Sequence, residues 1–349
     1  MHPRPQCPRQ KRTEISRNRL QSLVAQAQLS FTRSRYGEAA RLYRRALAIA
    51  EKALPPDALE LAVPLNGLAV VYKYQARFAE ARRLYRRALA ILEKVLGPDH
   101  PEVATLYHNL GGLEHARGRY ARGEPLARRS VAIREKVLGP DHPDVAADVA
   151  ALAALLDGQG KYAEAEALYR RALAVFERVY GPDHYEIAVN LNNLAAIHQA
   201  RGQISEAERL YRRALATKEK LLGPAHPDVG LTLNNLAVLC KSQQRYAEAE
   251  ALYQRSLCVL ERALGGKHPT VATCRQNYAA LRREMSDSST TNRETPRACG
   301  QRPVVPGYVC KGPGSARSGG RWRPGPSPAC PGRRRLGAGC VSFVTGADR

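Results

Sequence analysis

The sequence predicts an all-α fold, a right-handed α-solenoid of about six helical hairpins closed by a C-terminal capping helix. Three observations predict it. One pattern returns every 42 residues from about Leu20 onward, with Tyr36, Phe78, Tyr120, Tyr162, Ile204 and Tyr246 as one column. Leu42, Leu84, Leu126, Leu168, Leu210 and Leu252 form a second column, and Ala46, Ala88, Ser130, Ala172, Ala214 and Ser256 a third. Such a period marks an array whose units bury their apolar faces only against their neighbours. Within a unit the apolar spacing is helical twice over. Leu191, Leu194, Ala195 and His198 keep that rhythm, and so do Leu168, Tyr169, Ala172, Leu173 and Phe176. Composition agrees: aromatic residues make up 6% of the chain, with one Trp and two Met, which excludes a large aromatic core.

Each unit reads as helix A, a tight return, helix B and a loop. Helix A is expected at 60-75, 102-117, 144-159, 186-201 and 228-243, and helix B at 37-53, 79-96, 121-138, 163-180, 205-222 and 247-264. The break between them is Arg201-Gly202-Gln203 or its equivalent, too short for anything but an antiparallel return. Helix B opens on an acidic residue, as at Glu80, Glu164, Glu206 and Glu248, where the helix dipole favours negative charge. The units are joined by Gly97-Pro98-Asp99-His100-Pro101, Gly139-Pro140-Asp141-His142-Pro143, and counterparts at Gly181 and Gly223. There Gly is expected in the left-handed conformation that ends helix B, and the second Pro in the first turn of the next helix. Ala195 and Ala237 in helix A, with Ala207, Ala214 and Ala249 in helix B, let helix axes approach to the close end of about 8–10 Å. The segment from Thr270 to Glu284 reads as an unpaired helix A that caps the stack, and 20-34 as a degenerate helix A at the other end.

Leu194-Ala195, Gly202, Ala207, Tyr211 and Ala214 stand in the order large, small, turn glycine, small, aromatic, small. On those residues the chain resembles the tetratricopeptide repeat family. It is most similar to the 42-residue type found in kinesin light chains and many bacterial scaffold proteins, whose units read much like Leu-Asn-Asn-Leu-Ala and Gly-Pro-Asp-His-Pro. The resemblance covers roughly 20-284. HEAT and armadillo arrays have a similar period, so the residue columns decide.

Around the array, 20-285, the expectation is a basic disordered N-terminus at 1-19 and a disordered basic tail rich in Gly, Pro and Arg at 286-349. Such composition buries too little apolar surface to offset chain entropy. The net charge of +23 divides into +5, +10 and +8 over these three segments, a surplus that favours acidic partners. No window approaches 18 uninterrupted apolar residues and the N-terminus has no apolar core segment, so neither a membrane span nor a secretory signal is expected. Eight Cys without a CxxC pair point to a reducing cytoplasm. Cys299, Cys310, Cys330 and Cys340 lack metal-ligand spacing, and Trp322 between Arg321 and Arg323 is a lone aromatic. No metal and no cofactor is expected.

The Asp-His pairs at Asp99-His100, Asp141-His142 and Asp183-His184 invite comparison with a base and its orienting carboxylate. They recur once per unit in a connecting loop, so helix capping and turn formation account for them. With no phosphate loop, nucleophile elbow or HExxH, the chain is not expected to be an enzyme.

A polar ladder in helix A is harder to read as packing. Asn192-Asn193 and Asn234-Asn235 repeat in register, with Asn109 and Asn277 at the second position and Asn66 and Gln276 at the first. Asn is a mediocre helix former, so its return in mid-helix needs a reason. The resemblance implies that these eight residues line a concave groove and clamp the backbone of an extended peptide, each with one donor and one acceptor. The residues alone leave a second explanation open, in which the amides bond neighbouring helices and fix their stacking. Ala150 and Ala151 interrupt the ladder, leaving two polar segments around an apolar centre. Lys73 and Lys241 lie about two turns beyond it on the same helix face and, with His108, would make the groove mildly basic. The kinesin light chain resemblance implies partner peptides with an aromatic or leucine among acidic residues. Residues 1-19 show no heptads, so a motor-subunit role is not expected.

Helix B repeats Arg44-Arg45, Arg86-Arg87, Arg128-Arg129, Arg170-Arg171 and Arg212-Arg213, a stripe that nucleic acid or an anionic surface could use together with the basic tails. Glu124, Glu166 and Glu208 sit four residues earlier and neutralise part of it. The functional expectation is a protein-interaction scaffold that takes an extended, acidic peptide segment of another protein. Polyanion binding is the alternative, and the oligomeric state stays open.

Overall fold

A computed structural model of the chain describes residues 8–33, 35–266 and 268–291, with side chains between 18 and 287. The tail with its four Cys and Trp322 lies outside the described residues, as do the first seven positions. Among the described residues there are thirteen α-helices, one short 3-10 turn and no strand. In chain order they are α1 (Pro8–Thr32), α2 (Tyr36–Ala53), α3 (Ala62–Tyr74), α4 (Phe78–Leu96), α5 (Pro101–His115), α6 (Tyr120–Leu138), α7 (Pro143–Asp157), α8 (Tyr162–Tyr180), α9 (Tyr185–Ala200), α10 (Ile204–Leu222), α11 (Pro227–Ser242), α12 (Tyr246–Leu264) and α13 (Pro269–Thr291). Odd numbers are A helices and even numbers B helices, with α13 as the cap. The helices fall into two compact units, α1 to α9 ending at Gln203 and α10 to α13 beginning at Ile204.

In the first unit each A helix packs on the B helix that follows, and each B helix packs on the next A helix. Successive A helices also touch: α1 on α3, α3 on α5, α5 on α7, and α7 on α9. No B helix of this unit touches another B helix among the described residues, so the A helices line the inner side of its curve. The second unit repeats the pattern, with α11 against α13. Its buried Tyr211 and Tyr253 and the first unit's Tyr43, Tyr85 and Tyr169 form one column of helix B. Tyr43 lies so close to Gly67 of α3 that a Cβ there would come within 2.4 Å of the ring.

Four boundaries differ from the sequence reading. Helix B starts on the aromatic column itself, at Tyr36, Phe78, Tyr120, Tyr162, Ile204 and Tyr246, one residue before the expected position. α1 reaches back to Pro8, so 8–19 are helical where an irregular terminus is expected. Gln, Lys and Arg there are good helix formers, continuous with the segment that Leu20 and Leu23 bury in the core. α13 likewise continues past Met285 to Thr291. The loop glycines take positive φ but not the left-handed helical conformation: Gly97 has φ 86 and ψ 160, and Gly139 has φ 81 and ψ 157. That extended region is essentially closed to residues with a Cβ, and it swings the chain off the axis of helix B in one step.

Candidate functional site

On the inner side, the expected ladder positions form two columns. The first reads Asn66, His108, Ala150 and Asn192 in the first unit, then Asn234 and Gln276 in the second. Asn66, His108 and Asn234 are half-buried and Gln276 is exposed, while Asn192 is only 3% exposed. The second column lies deeper: Asn109, Asn193 and Asn235 are buried and Asn277 is half-buried.

The two columns bond to each other across helices. Asn109 Nδ2 donates to Asn66 Oδ1 at 2.8 Å in the first unit, and Asn277 Nδ2 donates to Asn234 Oδ1 at 3.2 Å in the second. For these four residues the stacking explanation left open by the sequence holds. The second column also follows the helix B tyrosines. Asn109, Asn193, Asn235 and Asn277 occur in units where the preceding helix B carries Tyr85, Tyr169, Tyr211 and Tyr253. Where that residue is Ala127 the ladder has Ala151, and where it is Tyr43 the partner is Gly67. Burial lifts the Tyr169 hydroxyl well above its usual pKa, and the Asn193 amide lies beside it.

The two groove lysines contribute less positive charge than the sequence suggests. Lys241 pairs with Glu284 at 2.7 Å. Lys73 is buried, and desolvation brings its pKa down to about 8, with Nζ 5.3 Å from the centre of the Tyr74 ring. The same column reads His115 and Asp157 in the next two units. Burial and then the Lys73 charge push His115 down to about 4, and burial pushes Asp157 up to about 6.

His108 belongs to a polar cluster that the sequence reading missed. Its Nδ1 lies 2.7 Å from Asp148 Oδ1 of α7. Asp148 is buried and also accepts from Arg134 Nη1 at 2.7 Å and from Ser130 Oγ at 2.5 Å, both on α6. Arg134 Nη2 donates to Thr105 Oγ1 of α5 at 2.7 Å. A carboxylate only accepts, so Nδ1 of His108 carries the proton. At the corresponding register of the second unit, buried Lys218 donates to Thr232 Oγ1 at 2.9 Å. The available signal was a pair of columns that change together, Leu92 with Leu106, Arg134 with Asp148, and Lys218 with Thr232.

The Asp-His loops cap helices. The Nδ1 of His100 accepts the backbone N–H of Glu102 at 3.2 Å, and His142, His184, His226 and His268 cap their helices in the same way. Pro101, Pro143 and Pro227 follow at the first turn, where a missing N–H costs nothing. Asp99 and Asp141 instead pair with cations of the following helix B, Asp99 with Lys136 at 2.7 Å and Asp141 with Arg178 at 3.0 Å.

Much of the arginine stripe is matched by carboxylates. Arg87 pairs with Glu51, Arg129 with Asp99, and Arg171 with Glu135, each on the preceding repeat. Arg128 bridges Glu124 and Glu164, while Arg212 bridges Glu208 and Glu248. Glu124 is held down to about 2 by Lys161, Gln159 and Arg128. Among the described residues no group of His, Cys, Asp and Glu could hold a metal, and no helix is long and apolar enough to cross a membrane.

With this geometry in hand, the chain can be set beside known proteins. No curated protein sequence matches it. Among solved structures it is similar to BtubC (BKLC) from P. vanneervenii, at 22% identity and a TM-score of 0.51, over 82% of this chain and 99% of that one. A putative kinesin light chain from Podospora anserina aligns at 26% identity and a TM-score of 0.47, over 60% of this chain and 98% of that one. A Rap protein complexed with Competence and Sporulation Factor aligns at 16% identity and a TM-score of 0.52, over 77% and 76%. BtubC and the Rap protein share the fold. The tetratricopeptide repeat profile matches 18–94, 60–122, 102–174, 146–220, 186–257 and 228–290. These matches overlap from one repeat to the next and run through every helix from α2 to α12, so the chain belongs to the tetratricopeptide repeat family.

Proposed function

We propose that the array is a protein-interaction scaffold holding an extended, acidic peptide segment of a partner along the inner face of its A helices. One observation carries this reading. The first ladder column keeps Asn66, Asn234 and Gln276 at least partly open to solvent on helices whose other central positions are mostly buried and apolar. A partly open row of carboxamides can satisfy the donors and acceptors of an extended main chain, which apolar side chains cannot. The net charge of +23 supports an acidic partner through long-range steering. A further support is that a Rap protein of the same fold is complexed with Competence and Sporulation Factor. In this reading Asn66, Asn192, Asn234 and Gln276 meet the ligand. Asn109, Asn193, Asn235 and Asn277 stand behind them, and Lys73, His108 and Lys241 flank the row.

Panning a random nine-residue phage-displayed library against the full chain tests this. The expected result is a set of Asp- and Glu-rich binders whose affinity falls roughly five- to a hundredfold in Asn66→Ala with Asn234→Ala, from about 0.5–1.5 kcal/mol per lost contact. Recovery of no binder, or of binders indifferent to that double substitution, would overturn the reading.

A further inference from the structure

We propose that the groove reads hydrogen-bond acceptors, the main-chain carbonyl or carboxylate oxygens of the ligand, because the bond between the ladder columns turns each first-column carboxamide so that its N–H groups face outward. The proposal rests on the peptide-binding reading above and gives it a polarity. A carboxamide is planar, with its oxygen and its NH2 on opposite sides. In the first unit the Asn66 oxygen is taken by Asn109 Nδ2, and in the second the Asn234 oxygen is taken by Asn277 Nδ2. The direction is the same in both units, from the deeper column to the shallower one. Neither Asn66 nor Asn234 donates its own N–H to any protein group among the described residues, and both side chains are half-buried. Partly buried donors without a protein partner are served by water or by a ligand.

Two roles then separate within the ladder. Asn66 and Asn234 touch the ligand. Asn109 and Asn277 are positioning residues, which hold the neighbouring amide by its oxygen. A clamp in which every amide uses one donor and one acceptor does not fit these four, since the acceptor of each contacting amide is already engaged by its neighbour.

The test uses the full chain and the peptides panned on it. Asn66→Asp with Asn234→Asp keeps an acceptor for Asn109 and Asn277, so the stack is held, but leaves no donor for the ligand. The expected result is a melting temperature within about 2 °C of the parent and binding weakened at least about tenfold. The loss should persist in 0.5 M salt, where repulsion between the new carboxylates and an acidic peptide is screened. Asn109→Asp with Asn277→Asp should produce a similar loss from beneath the groove, because a carboxylate there demands an N–H from Asn66 and Asn234 and turns their oxygens outward. Binding that survives the first pair at 0.5 M salt overturns the proposal, as does a second pair that binds like the parent. Side-chain amide exchange in the unsubstituted protein checks the polarity without any variant. The Asn109 and Asn277 amides should be the protected ones, and protection of Asn66 and Asn234 instead would reverse the assignment. If Asn66→Ala with Asn234→Ala weakens binding while the Asp pair does not, the polarity fails and the peptide reading stands.

Discussion

Leu92 and Leu106 occupy register positions that Arg134 and Asp148 take one repeat later and Lys218 and Thr232 take two repeats after that. The leucine pair is buried apolar packing. The Arg134–Asp148 pair is a buried ion pair with Ser130 and His108 as further partners of the carboxylate. Removing one member of such a pair leaves an uncompensated buried charge, so Asp148→Ala should cost about 3–5 kcal/mol in denaturant unfolding. Arg134→Leu with Asp148→Leu adopts the solution of the preceding repeat. Ser130 keeps its bond to the Ala104 carbonyl at 2.9 Å, so the double variant should be at least as stable as the parent. A double variant as unstable as the single one would show that the two positions are not a unit. Lys218 supplies a titration test. Burial lowers its pKa from 10.5 to about 8 in the folded stack. Between those values the unfolded chain binds more protons than the folded one, so this lysine makes stability rise as pH goes from 8 to 10.5. Lys218→Met should therefore stabilise the protein at pH 7, by up to about 3 kcal/mol, and shrink the gain between pH 8 and pH 10. An unchanged pH slope would mean the ammonium is hydrated. Both clusters were present in the sequence as columns that change together, but periodicity assigns a face and not a contact. The ladder was legible because identical residues recur, whereas the charge pairs replace leucines in single repeats.

At the level of elements, turn chemistry decides most of the geometry, and most of it could be read in advance. The return between helices A and B places one residue in the left-handed region, Gly118, Gly160 and Gly202 at φ 64, 75 and 74. Two returns lack the glycine: Ala76 sits at φ 57 and Gln244 at φ 59. A residue with a Cβ loses about 1–2 kcal/mol in that conformation, and glycine gives back about 0.5–1 kcal/mol in chain entropy. Ala76→Gly should therefore stabilise the first unit by about 0.5–1 kcal/mol, read as a higher urea midpoint at unchanged slope. A lower midpoint would place the constraint elsewhere. The loop between units behaves in the opposite way. Gly139→Ala asks a Cβ to enter the extended positive-φ region, at a cost of about 1–3 kcal/mol, although nothing lies within 4 Å of the added atom. The sequence reading placed glycine correctly and mistook its conformation, because both outcomes require positive φ and only the helix axes distinguish them. Helix starts slipped by one residue for a similar reason. The aromatic column is the first helical position rather than the one before it, and none of the described B-helix caps is a side-chain oxygen.

For the molecule as a whole, a stack held by neighbour contacts should survive the loss of one complete unit, provided the new neighbours suit each other. Deleting 146–187 joins Val145 to Ala188 in register and fuses the start of α7 to the body of α9. Helix content per residue should be kept in circular dichroism, whereas deleting five residues inside helix B should break the phase of its apolar face and lose it. The register also predicts a specific weakness in the shortened stack. Asp148 leaves with the deleted unit, and the position facing Arg134 passes to Asn190, which carries no charge. In the intact chain the residue at Arg134's register before Asn190 is Phe176, buried like Asn190 itself. Arg134→Phe should therefore raise the melting temperature of the deletion variant, recovering much of the roughly 3–5 kcal/mol that an orphaned buried cation costs. The same substitution in the full-length chain should lower it, because there it strands Asp148. This reversal of sign depends only on which repeats are adjacent. Equal effects in the two backgrounds would show that the repeats are coupled through more than their shared faces.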